Sequence, residues 1–177
     1  MYRITKSVHV PFSHHVRGHR GACISLHGHT WKLEVGLGAS TLDAEGFVTD
    51  FSVVKARVLR PCHRLLDHAL ALGEETFAEV RADLEGMGHK LVDSRLHTIG
   101  DRGERPEGLD GTLGGARNVY PGGIKVALFP FAPTSERIAE WLYRVAVEQL
   151  EDGRVRVLRG RVYESLHPTE SIGEFVP

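Results

Sequence analysis

The chain has 177 residues, 41% of them hydrophobic and 25% charged, with a formal charge of −1 at pH 7, so it can bury a real core and carries no basic field of the kind that binds nucleic acid. Two cysteines, Cys23 and Cys62, do not make a disulfide framework, and a cytoplasmic protein with reduced thiols is expected. No apolar run approaches membrane-spanning length, the Met1–Lys6 start lacks an apolar signal core, and 11 histidines point toward metal chemistry without locating it.

In chain order, residues 2–14 alternate, with Tyr2, Ile4, Val8, Val10 and Phe12 on one face, which predicts a half-buried strand. One further step on that face reaches His14 and not His15. Residues 15–22 read as a loop. Residues 26–38 read as a second strand, with His27, His29, Trp31, Leu33 and Val35 on one face and Gly28 removing bulk on the other. Antiparallel pairing of the two strands brings His14 near His27 and His29. Thr41–Gly46 is turn-like, and Asp50 or Ser52 caps a helix that carries Val53, Val54, Val58 and Leu59 and is interrupted at Pro61. Residues 75–93 suit a helix on Phe77, Val80 and Leu84. Residues 100–123, rich in Gly, Arg, Asp and Pro, read as an irregular excursion.

Ile124–Phe131 is a strand candidate. Pro133-Thr134-Ser135-Glu136 opens the clearest helix, with Ile138, Ala139, Leu142, Val145, Ala146 and Leu150 at helical spacing and Gly153 at its end. Arg154–Ser165 reads as the last strand, with Val155 and Val157 facing one way, Leu158, Val162 and Glu164 the other, and a bulge at Gly160. No repeat or boundary divides the chain, which reads as one domain over 1–177 with an insertion at about 74–123.

His14, His27 and His29 would give a neutral three-nitrogen set, the number of protein ligands a catalytic zinc site uses while keeping a position open. The plain alternative is a polar patch of histidines. Cys23, four residues before His27, can be a general base, a fourth ligand or a buried thiol; a nearby cation would lower its pKa. Asp67-His68 can be an acid/base pair only where the chain turns, and a surface pair is the commoner case. Glu164 in an apolar strand either pairs with a guanidine-like edge or is an exposed edge residue.

Taken together, Cys23-x-x-Leu26-His27-Gly28-His29-Thr30-Trp31, His14-His15-Val16-Arg17-Gly18-His19, Gly46–Phe51, Leu66-Asp67-His68, Pro133–Glu136 and Tyr163-Glu164-Ser165 occur in the order seen in the 6-pyruvoyltetrahydropterin synthase / 6-carboxytetrahydropterin synthase family, which the chain resembles. The resemblance covers most of the chain outside about 74–123. It implies an α+β tunnelling fold (T-fold), in which an antiparallel four-stranded sheet carries two helices on one face, here near 52–60 and 134–151. It also implies subunits that join into a β-barrel, usually in a hexameric homo-oligomer with sites at subunit interfaces.

By the same resemblance, His14, His27 and His29 would bind Zn2+, and Cys23, Asp67 and His68 would be catalytic. Glu164, with Thr134, Ser135 and Glu136, would hold the pterin. The expected activity is that of a zinc-dependent carbon–oxygen lyase acting on 7,8-dihydroneopterin triphosphate. The short Cys-to-His spacing resembles the 6-carboxytetrahydropterin synthase branch of the queuosine pathway. The alternatives are 6-pyruvoyltetrahydropterin formation, or a pterin-binding relative with another substrate or no turnover. Arg17, Arg20 and Lys32 are the basic candidates for the triphosphate. The chain departs from the family pattern at Val10–Ser13, at Ala69–Leu72 after Asp67-His68, and at Arg137.

Overall fold

The computed structural model describes residues 1–92, 111–167 and 169–177. The first two alternating stretches form a long antiparallel hairpin, β1 (Tyr2–His14) and β2 (His27–Ala39), in which Val10 faces Trp31, Phe12 faces His29 and His14 faces His27. Strand alternation sends Val10, Phe12, Trp31, Leu33, Val35 and Leu37 to one face, where all are buried. β6 (Val155–Ser165) pairs with β2, and β7 (Ser171–Phe175) pairs with β6, both antiparallel. These four strands are the antiparallel block the resemblance implies.

Two expectations for this end of the chain are corrected. β6 is not the last strand: Ser171–Phe175 has too little apolar alternation to read as a strand and is held by pairing with β6. The bulge lies at Leu158 and not at Gly160, because Gly36 pairs with Arg159 while Leu37 pairs with Val157. That extra residue shifts the parity, so Val162 and Glu164 share the face of Val155 and Val157. Gly160 serves another purpose: a Cβ there would run into the Ala139 carbonyl and lie 2.8 Å from the Tyr143 nitrogen, where α4 (Ser135–Leu150) crosses the sheet.

α4 opens on Thr134, whose hydroxyl accepts from the Arg137 N–H at 3.3 Å. Its inner face buries Ile138, Ala139, Trp141, Leu142, Val145, Ala146 and Leu150 against the sheet. Each large side chain contributes about 1.5–3 kcal/mol, so this face outweighs the cap. The other helical layer runs from Phe51 to Leu66 as α1 (Phe51–Val54), a wider π-helical turn (Lys55–Leu59) and α2 (Arg60–Leu66). Pro61 therefore does not interrupt the helix, contrary to expectation. A proline removes one helical N–H and crowds the preceding turn, and the widened turn before it absorbs that misfit.

Asp50 caps this helix, its carboxylate accepting the Ser52 N–H at 2.6 Å, and that bond holds the Asp50 carboxyl below its usual range. A depressed acid contributes stability above its unfolded pKa of about 3.9 and loses it as pH falls through the folded value. Asp50→Ala is expected to lower Tm by roughly 2–4 °C at neutral pH and by less at acid pH, as thermal unfolding at the two pH values would read.

The stretch after Asp67-His68 forms β3 (Leu70–Gly73), α3 (Glu74–Val92), β4 (Arg117–Val119) and β5 (Val126–Phe129). β3 lies parallel to both β1 and β5, and β4 is antiparallel to β5, so the sheet has seven strands in the order β4-β5-β3-β1-β2-β6-β7. The departure at Ala69–Leu72 is thus the docking strand of the excursion. Part of what reads as irregular, residues 117–119, is strand; residues 100–110 of that stretch lie outside the described residues. The helix expected on Phe77, Val80 and Leu84 packs them beside Leu72 and Val126 in a small second core. No helix among the described residues is long and apolar enough to cross a membrane.

Candidate metal centre and active site

The paired ends of β1 and β2 place His14 opposite His27, with His29 one alternation further along β2. His14 is 1% exposed, its ring edge-on to Trp31 at a centroid distance of 4.9 Å. Its Nδ1 donates to the Pro133 carbonyl at 3.0 Å, and the His27 Nδ1 donates to the Ser25 carbonyl at 2.8 Å. A ring whose Nδ1–H is held by a carbonyl presents Nε2 as its lone-pair nitrogen. The two Nε2 atoms are 3.2 Å apart, and the Glu164 Oε1 lies 3.3 Å from the His14 Nε2 and 3.7 Å from the His29 Nε2. Two lone pairs and a carboxylate oxygen held this close together suit a cation. The donor types, imidazole nitrogen and carboxylate oxygen with a thiol nearby, are those zinc takes.

The ligand atoms of His14, Cys23, His27 and Glu164 all lie within 4.8 Å of one another. His29 borders this group, its ring 4.9 Å from that of His27 and 5.8 Å from that of His14. Burial pulls the His29 imidazole below its ordinary pKa, which favours the neutral, ligating form. Contact with His14 holds the Glu164 carboxyl below its usual range, with burial opposing and Ser135 assisting. The protein groups alone push the Cys23 thiol upward, burial first and Glu164 second. A divalent cation at the imidazoles acts in the opposite sense.

The Ser135 side chain hydrogen-bonds Glu164. Thr134 is the α4 cap, and Glu136 is exposed in the first turn. β7 carries Gly173 beside this turn, where a Cβ would come within 2.6 Å of the Ser135 carbonyl carbon.

Asp67 and His68 sit where α2 ends. The chain does turn there: His68 has φ +55°, and its Nδ1 donates to the Asp67 Oδ1 at 2.9 Å. Among the described residues no hydrogen bond or ion pair joins this pair to Cys23 or to the histidine cluster. His68 is exposed and borders a cavity of about 540 Å³ whose lining includes Ser13, Gly28, His29, Thr30 and Lys125. Ser13, Gly28 and Thr30 alternate with the clustered histidines and so face the other way.

Of the basic candidates, Arg17 pairs with Glu75 and Glu79 of α3. Lys32 lies on the opposite sheet face, 3.5 Å from Glu34 and over the Tyr163 ring. Sequence reasoning missed the Pro133 and Ser25 carbonyls that orient the histidines. They are backbone groups, and only their position relative to β1 and β2 marks them.

The sequence profile described as 6-pyruvoyl tetrahydropterin synthase matches residues 3–172. A Bacillus subtilis protein named 6-carboxy-5,6,7,8-tetrahydropterin synthase is 33% identical over 79 residues, 44% of this chain and 51% of that protein. An Aquifex aeolicus protein of the same name is 24% identical over 147 residues, 81% of this chain and 70% of that protein. The chain thus spans about half the length of the first of these curated relatives.

Among solved structures, an uncharacterized Wolinella succinogenes protein superposes with a TM-score of 0.73 at 21% identity, covering 99% of this chain and 97% of that one. The Plasmodium vivax 6-pyruvoyltetrahydropterin synthase gives 0.51 at 15% identity over 100% of both chains. These likenesses show the T-fold. With the profile match running almost end to end over the strands that carry the histidine cluster, the chain belongs to the 6-pyruvoyl tetrahydropterin synthase family.

Proposed function

We propose that this family member is a zinc-dependent carbon–oxygen lyase, a 6-carboxy-5,6,7,8-tetrahydropterin synthase. It acts on 7,8-dihydroneopterin triphosphate in the route to queuosine and releases triphosphate and acetaldehyde. The observation that carries the reading is the pair of carbonyl-anchored imidazoles with Nε2 atoms 3.2 Å apart and the Glu164 carboxylate 3.3 Å away. The name shared by the B. subtilis and A. aeolicus relatives supports the branch.

His14, His27 and His29 hold the ion. Bound there, Zn2+ polarises the substrate's side-chain oxygens and acidifies the adjacent carbon-bound protons. Cys23 accepts such a proton as general base. Glu164, kept ionised by its neighbours, accepts the N–H groups of the amino-pyrimidine edge, assisted by Ser135 and the first turn of α4 through Thr134 and Glu136.

Asp67 fixes His68 as the Nδ1–H tautomer, which leaves Nε2 to take or return a proton. Since the pair sits beside the sheet face opposite the cluster, we assign its partner Cys23 to a second copy of the chain in a homo-oligomer. Each proton transfer contributes about 10²- to 10⁴-fold.

The test is product analysis of the zinc-loaded protein with 7,8-dihydroneopterin triphosphate. Equal amounts of 6-carboxytetrahydropterin and acetaldehyde are expected. A 6-pyruvoyl product without acetaldehyde would move the chain to the sister activity. Bound zinc with no pterin product would remove the substrate assignment.

A further inference from the structure

The end of α2 poses a backbone problem. The last four carbonyls of a helix have no partner within it. Here they are His63, Arg64, Leu65 and Leu66. The His63 carbonyl accepts the Asp67 N–H at 2.7 Å and the Leu66 carbonyl accepts the Ala69 N–H at 2.9 Å, so the turn itself satisfies two of them. The other two are met from the segment that closes the excursion and enters β5. Lys125 Nζ donates to the Arg64 carbonyl at 2.7 Å, and Asn118 Nδ2 donates to the Leu65 carbonyl at 2.9 Å. Lys125 goes one step further than Asn118. Its Nζ also donates to the Asp67 carbonyl at 2.8 Å, and its own carbonyl accepts the Leu70 N–H at 3.0 Å.

One residue therefore clasps the chain on both sides of His68. His68 has φ +55°, a left-handed conformation that a non-glycine residue keeps only when its surroundings enforce it. The enforcing contacts are the Lys125 bonds on either side and the His68 N–H donated to the Pro11 carbonyl at 2.9 Å. Burial of the ammonium at this spot lowers its pKa while the Asp67 charge opposes the shift. An ammonium has three donors, and two are spent here on carbonyls.

We propose that Lys125 is a positioning residue for the acid/base pair: the segment between β4 and β5 delivers it to lock the Asp67–His68 turn, so that the Asp67 carboxylate stays on the His68 Nδ1. The proposal rests on the reading of Asp67 and His68 as proton-transfer groups. It gives the end of the excursion a role at the site, because Asn118 belongs to it and Lys125 follows it at the entry to β5.

The experiment compares Lys125→Met, Lys125→Arg, Asn118→Ala and His68→Ala in the full zinc-loaded chain. It follows kcat and KM on 7,8-dihydroneopterin triphosphate, zinc content, Tm, and the ring tautomer of neutral His68 by 15N NMR. Lys125→Met is expected to lower kcat about 10- to 100-fold with KM and zinc content little changed. In that variant His68 should pass from the Nδ1–H tautomer to the Nε2–H form favoured by a free imidazole. Lys125→Arg, which keeps a donor, should recover part of the loss. Asn118→Ala caps the same helix end without touching Asp67, so it should lower Tm while leaving kcat and the tautomer unchanged.

Asn118→Ala reproducing both losses would reduce the clasp to a stability feature. An unchanged tautomer in Lys125→Met would overturn the proposal whatever the turnover. If Lys125→Met shifts the tautomer while His68→Ala keeps full kcat, the acid/base reading fails and the positioning geometry stands; the two failures are thereby told apart.

Discussion

His14→Ala is expected to strip the metal from the cluster, with zinc falling from about one ion per chain to near none and turnover falling at least about 10³-fold, the several kcal/mol that a bound cation contributes to charge stabilisation. The size follows from the position of the ring. His14 is 1% exposed, it lies nearest both the His27 Nε2 and the Glu164 Oε1, and its Nδ1 satisfies the Pro133 carbonyl. Removing it also leaves that buried carbonyl without its donor, at a further cost of about 1–3 kcal/mol in stability, so Tm should fall even in zinc-free buffer. His15→Ala, one residue along and on the other parity, should keep its zinc. Metal analysis of both purified variants checks the pair, and a His14→Ala protein with a full complement of zinc would sink the assignment.

The second large effect concerns Cys23. Cys23→Ala should keep its zinc and lose turnover about 10²- to 10⁴-fold, the usual yield of one proton-transfer group. Zinc lost together with the thiol would favour a closed four-ligand structural site instead. The thiol does lie within 4.8 Å of the His14, His27 and Glu164 donor atoms. The same variant tests how the site is assembled. Co-refolding of Cys23→Ala with His68→Ala chains should restore roughly a quarter of wild-type turnover, because a site built from two copies draws intact Cys23 and intact His68 by random assortment. A site built within one chain would recover none.

The histidine cluster was legible before any fold, because period-two alternation on a paired hairpin leaves few choices. Counting from Tyr2 selects His14 over His15, and the same count along the second strand aligns His27 and His29. The α4 start was legible for a similar local reason, the Pro133-Thr134-Ser135-Glu136 run ahead of an apolar stripe at helical spacing. Glu164 stands out in the sequence as an odd residue in an apolar strand, but strict alternation gives it the wrong face, because a single extra residue at Leu158 reverses the parity of everything after it. Pro61 misled in the same way: the rule that proline ends a helix is local, and the widened turn that evades it is enforced by the burial of Cys62, Leu65 and Leu66 beyond it.

Local periodicity thus determines what each strand or helix buries and which side chains share a face, and it brought the three histidines onto one face; the family came from the order of the motifs the chain resembles and from the profile match. Contacts between segments distant in the chain lay beyond it. The Pro133 carbonyl on His14, the Ser135 hydroxyl at Glu164, the short β7 and the Lys125 clasp on the Asp67–His68 turn all depend on backbone groups or single side chains meeting across the sheet. Such meetings have no period to announce them; they form because a folded core has already fixed the distances, and only then does a hydrogen bond offset the cost of burying its polar groups.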